Sequence, residues 1–201
     1  MHSRPSHLLT VAALGSVIAL GACKKSDSAN PDTTMAMMTK TDSAMDKSAD
    51  TTRNLSDDQI LGDLDAINSG EIDAGKMAQT KSTNADVKAF AKQMVTAHTK
   101  MKSDGAALAA KIAVTPKSPA DSAIVAANDS TAAHLTSASK GMPFDTAYVN
   151  AQVAGHQMAL DFLRRASSQA QNADLKKAVT DAIPVVQSHL DMAQSLQAKI
   201  K

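Results

Sequence analysis

Four stretches of this chain carry apolar residues at alternating three- and four-residue spacings, the pattern of a helix that buries one stripe against its neighbours. The first stripe runs Ile60, Leu64, Ile67, Glu71, Ala74, Ala78, and the second Val87, Ala91, Met94, His98, Met101, Gly105, Leu108, Ile112. The third runs Val149, Val153, His156, Leu160, Leu163, and the fourth Leu175, Val179, Ala182, Val186, His189, Ala193, Leu196, Ile200. Each stripe is apolar or small except at one position, and that position is ionisable. Strand formers are few and alanine is abundant, so the expected class is all-α.

Punctuation sets the boundaries. Ser56-Asp57-Asp58-Gln59 has the form of a capping box and opens a helix to about Thr80; Asn84 caps a second, over about 85–112. Ser118-Pro119-Ala120-Asp121 starts a helical connecting segment that reaches about Ser139, with proline at the first position. A third helix is expected over about 144–170 and a fourth from Asn172 to the C-terminus, kinked or broken at Pro184. "NADVKAFAKQMV" at 84 and "NADLKKAVTDAI" at 172 echo each other, each opening a helix after a short turn. Two such hairpins packed face to face predict an antiparallel four-helix bundle over residues 55–201.

The N-terminal region has a different character. Arg4 precedes an apolar run from Leu8 to Leu20, too short to span a bilayer, followed by Leu20-Gly21-Ala22-Cys23. This ending resembles a bacterial lipobox: residues 1–22 read as a lipoprotein signal peptide and Cys23, the single cysteine, as the lipidated residue. Acyl chains there would hold the chain to a membrane. Lys24 in place of an aspartate favours the outer membrane, with the protein facing the periplasm. Residues 24–54, rich in Ser, Thr, Asp and Lys and without branched aliphatic or aromatic residues, read as a disordered tether whose Met35, Met37 and Met38 belong to linker composition. Removing residues 1–22 takes away Arg4 alone among the charged residues, so the 21 basic and 20 acidic residues become 20 and 20, a balance that argues against a nucleic-acid partner. Protein partners are not legible.

Glu71, His98, His156 and His189 all fall near the middle of their expected helices, so in an antiparallel bundle they meet at one height. Buried ionisable groups must be paired, neutral or bound to metal. Two arrangements satisfy these four. In one, Glu71 accepts hydrogen bonds from the histidines as a polar network that sets the register. In the other, three imidazoles and a carboxylate hold one divalent transition metal, Zn, Cu, Fe or Ni. Tyr148 and Gln152, two turns and one turn before His156, stand where they can support either arrangement. Val95, Val153 and Val186 occupy the positions three before the histidines, where a di-iron bundle carries glutamate, so a di-iron centre is not expected. No serine–histidine–aspartate order or glycine-rich phosphate loop is present, and no catalytic residue is assigned. His134 has no comparable stripe and reads as a surface or packing residue.

"SGEIDAGKMAQTKSTNADVKAFAKQMVTAHTKM", "GMPFDTAYVNAQVAGHQMALDFL" and "IPVVQSHLDMAQSL" resemble, in order and spacing, a bacterial family of unknown function with a ferritin-like four-helix fold, often labelled predicted outer-membrane proteins. The resemblance covers about residues 55–198 and implies Glu71, His98, Asp145, Tyr148, His156 and His189 as recurring polar positions. Asp145 enters the candidate set on this ground alone. Ala97 departs from the pattern, which has an aspartate before the histidine. The expected function is a lipid-anchored binding or envelope-stress module holding one metal ion in its core. Alternatives are a metal-dependent oxidase or peroxide-handling enzyme, and a structural or interaction lipoprotein with a polar core network.

Overall fold

In the computed structural model the described residues are 54–200, apart from 118 and 120. The expected signal peptide, the lipidated Cys23 and nearly all of the tether lie outside them. Five helices occur in this range and no strand: α1 (Asp57–Lys81), α2 (Ala85–Lys111), α3 (Ser122–Ser137), α4 (Met142–Gln169) and α5 (Ala173–Lys199). The connecting segment is thus a helix in its own right, α3. Residues 82–84 join α1 to α2 and residues 170–172 join α4 to α5; each pair packs along its length, and α3 lies against α1 and α4.

The repeated Asn-Ala-Asp openings have a common cause. Asn84 Oδ1 accepts from the backbone N–H groups of Asp86 and Val87 at 2.8 and 3.2 Å, and Asn172 does the same for Asp174 and Leu175 at 2.9 and 3.2 Å. Each cap satisfies donors that have no partner within the helix and contributes ~1 kcal/mol. At the start of α1, Gln59 Oε1 accepts from the Ser56 N–H at 3.0 Å, closing the expected box.

Several contacts tether α3 and its flanks. Asp121 pairs with Arg165 at 2.8 Å, and its N–H donates to Asp63 Oδ1 at 3.2 Å. Asn128 Nδ2 donates to the Ala66 carbonyl at 3.0 Å, in the space left by Gly70, where a β-carbon would run into the Asn128 amide. Lys81 Nζ donates to the carbonyls of Leu135 and Thr136 at 2.7 and 2.8 Å, closing the C-terminal end of α3.

The interior is apolar and divided in two. One apolar cluster gathers Ile60, Leu61, Leu160, Leu163, Leu175 and Val186; the other gathers Val87, Phe90, Met94, Phe144, Val149 and Leu196. Fully burying a side chain of this size stabilises the fold by ~1.5–3 kcal/mol. Buried polar residues at the middle of the helices, Asn68, His98, Gln152, His156 and His189, stand among these apolar groups.

Pro184 does not break the last helix. Helix α5 is continuous from Ala173 to Lys199, and Pro184 and Thr180, whose carbonyl loses its partner to the proline, both lie on the exposed side. Water can take that carbonyl, so the interruption stays local. Among the described residues no helix is long and apolar enough to cross a membrane.

Candidate metal centre

His98 on α2, His156 on α4 and His189 on α5 come together at mid-helix, where the seam spacing turns each side chain inward. The imidazoles form a nearly equilateral triangle, with ring centroids 5.6 Å (His98–His156), 5.4 Å (His98–His189) and 5.5 Å (His156–His189) apart. One nitrogen from each lies within 4.8 Å of the others, and all three residues are buried.

Neighbouring groups define which nitrogens these are. Asn68 Nδ2 donates to the Leu64 carbonyl at 2.8 Å, which turns its Oδ1 toward His98 Nδ1, 2.9 Å away. An amide oxygen only accepts, so the proton of His98 sits on Nδ1 and the lone pair on Nε2. His156 Nδ1 is 2.8 Å from the Gln152 carbonyl oxygen, one turn earlier on the same helix, and by the same reasoning is the protonated nitrogen. The Nε2 atoms of His98 and His156, and Nδ1 of His189, are buried without a hydrogen-bond partner in the protein.

Burial holds His98 and His189 in the neutral form. Burial first, then the proximity of His156 and His189, pushes His98 down to about 3. Burial, followed by His156, lowers His189 to about 4. A neutral imidazole with its lone pair aimed at a shared point is the form that ligates a metal. None of these three nitrogens has a hydrogen-bond partner in the protein, and each buried polar group left unpaired costs ~1–3 kcal/mol. An electron-pair acceptor at the centre of the triangle satisfies all three at once.

Glu71 is placed differently. Its Oε2 accepts from Gln152 Nε2 at 2.6 Å, and its Oε1 lies 3.8 Å from His156 Nδ1, the nitrogen on the far side of that ring from its lone pair. Gly155 makes room for it, since a β-carbon there would stand 3.0 Å from Glu71 Oε1. Among the described residues the group that shares one ligand point is the three histidines; Glu71 sits behind them.

Gln152 joins this layer twice, through its side chain to Glu71 and its carbonyl to His156. Tyr148 is fully buried with its ring 6.3 Å from those of Phe90 and Phe144, eight residues before His156 and thus ~12 Å along the axis. Burial, and then Glu71, raises its pKa well above the usual phenol range. Asp145 is buried in the first turn of α4, ~16 Å along the axis from His156, and does not join the histidines. His134 is exposed on α3. Asn68 was not among the sequence candidates, although its place one turn before Glu71 puts it at the histidine level.

The fold has a counterpart among solved structures. The chain is similar to "CopM in the Cu(II)-bound form", with a TM-score of 0.57 and 12% identity over 73% of this chain and 99% of that one. At that identity the likeness is one of fold. Curated proteins offer no match to the sequence. The profile of the family described as "Domain of unknown function (DUF4142)" matches residues 41–196, reaching back into the expected tether. The chain belongs to this family of domains of unknown function, DUF4142.

Proposed function

We propose that this protein is a metal-binding helical module that holds one divalent transition metal ion through His98 Nε2, His156 Nε2 and His189 Nδ1. The observation that carries the reading is the convergence of three buried imidazole nitrogens without hydrogen-bond partners, two of them left with a free lone pair by the Asn68 and Gln152 hydrogen bonds. Three imidazoles suit Cu, Zn, Ni or Fe, and the Cu(II) named for the similar CopM structure puts copper first for testing. Glu71, beside His156, supplies compensating negative charge from outside the ligand set.

In this reading α1, α2, α4 and α5 form a ferritin-like antiparallel four-helix bundle, and α3 is the crossover between its two hairpins. Cys23 carries the lipid that anchors the module to the outer membrane, facing the periplasm, with residues 24–54 as the tether.

The test is elemental analysis of the full chain, purified without chelator, beside a His98→Ala/His189→Ala variant. About one ion per chain that disappears in the variant supports the reading; absence of metal from a folded wild-type chain that also fails to take up Cu(II) or Zn(II) refutes it. Three protein ligands leave a coordination position open, as in catalytic sites, which favours the metal-dependent oxidase as the second reading. Turnover of peroxide that requires the ion and is lost with His98 would select it.

A further inference from the structure

Two openings adjoin the histidine layer. A cavity of about 600 Å³ lies between α1, α2, α4 and α5, with Asn68 and His98 in its wall. A recess of about 380 Å³ lies between α1, α3 and α4, with Glu71 and Gln152 in its wall. The three unpartnered imidazole nitrogens are sealed from both, so an ion reaches them only when a ring turns aside. Which ring turns depends on which opening brings the ion.

Charge distinguishes the two. The cavity is walled chiefly by aliphatic side chains such as Leu64, Leu108, Leu163 and Val179. Its lysines, Lys100 and Lys102, are paired with Asp104 at 2.6 Å and Asp65 at 2.9 Å, and its Asp181 with Lys177 at 2.6 Å. A hydrated ion finds nothing along that wall to replace the water it must give up. The recess has three carboxylates in its wall, Glu71, Asp73 and Asp129, and no Lys, Arg or His. Such a lining concentrates cations and speeds their arrival.

Glu71 is the group that an arriving cation can use. Asp73 has an exposed partner in Lys76 at 3.9 Å, but among the described residues Glu71 has no Lys or Arg partner. Its side chain is 13% exposed, so it can be reached from the recess, while Gln152 Nε2 holds its other side at 2.6 Å. Its Oε1 lies 3.8 Å from His156 Nδ1, so the carboxylate that faces the recess also backs onto the ring of a proposed ligand.

We infer that the metal ion enters through this recess, with Glu71 as the first protein ligand it meets. It passes to the triangle when the His156 side chain rotates away from its 2.8 Å hydrogen bond to the Gln152 carbonyl. The inference rests on the metal reading and adds its route of loading.

The test is stopped-flow mixing of the metal-free full chain with Cu(II), followed by the fluorescence of Tyr148, the single tyrosine in a chain without tryptophan. The phase of interest is the one that His98→Ala/His189→Ala lacks. Glu71→Gln, which keeps an acceptor for Gln152, should lower its second-order rate constant at least tenfold. A carboxylate that only compensates the bound ion would change the dissociation rate and leave this constant alone. Ala151→Leu from α4 and Ala127→Leu from α3, which fill the recess, should also slow uptake. Gly105→Leu fills the cavity instead, where a β-carbon meets no heavy atom within 4 Å, and should leave the rate unchanged. Added salt should slow the wild type more than Glu71→Gln. An unchanged rate in folded Glu71→Gln, or slowing by Gly105→Leu but by neither recess-filling variant, would overturn the inference and leave the metal reading intact. A wild-type chain that binds no Cu(II) at equilibrium would remove both.

Discussion

The Asn68 amide oxygen lies 2.9 Å from His98 Nδ1 and thereby decides that Nε2 of His98 is the nitrogen facing His156 and His189. Removing that acceptor frees the ring to rotate and to change tautomer. Asn68→Val should weaken Cu(II) binding roughly 10–100-fold with the helical fold retained, whereas Asn68→Asp, which keeps an acceptor, should lose much less. Competitive titration against a chelator of known affinity, with circular dichroism on each variant, checks both halves.

Acid should destabilise the metal-free protein through the same rings. His98 and His189 have folded-state values of about 3 and about 4, below their ordinary 6.5, so the unfolded chain takes up protons that the folded chain refuses. Their contribution is therefore fully present above pH ~6.5 and is lost as pH falls through the window toward 4, at ~1.4 kcal/mol per proton per pH unit. Thermal melts of chelator-treated protein should show a flat Tm from pH 8 to about 7 and a steep fall below about 6. A His98→Leu/His189→Leu variant should show a shallower fall; an unchanged slope would contradict the assignment.

Pro184 offers a test of how α5 presents His189. The helix continues through it and its ring is exposed, so Pro184→Ala restores a hydrogen bond to the Thr180 carbonyl without altering a buried contact. Tm should rise, by an amount corresponding to ~1–3 kcal/mol less whatever the proline contributes by restricting the unfolded chain. Metal content should stay the same, and a fall in either quantity would show that the proline aims His189.

Much of the helical framework was legible from the chain. The Asn84 and Asn172 caps, the Ser56–Gln59 box and the seam spacing locate the helices to within a few residues, because caps and periodicity act locally. Three of the four ionisable seam positions converge for the reason the spacing implies. Glu71 shares their height, but its carboxylate turns to Gln152 beside Gly155, a side-chain direction that periodicity does not carry. Asn68 escaped notice because it flanks the seam rather than lying on it. Met101, Gly105 and Leu108 continue the apolar stripe of α2 yet are only half-buried, since they face the cavity. A stripe records which side of a helix turns inward, and it cannot record whether the facing helices close over it.

The most direct test is electron paramagnetic resonance of the full chain loaded with one equivalent of Cu(II). The account predicts nitrogen hyperfine splitting from three imidazoles in the wild type, and from two in His189→Ala. An oxygen-dominated spectrum, or one that the substitution leaves unchanged, would contradict a metal centre built on His98, His156 and His189.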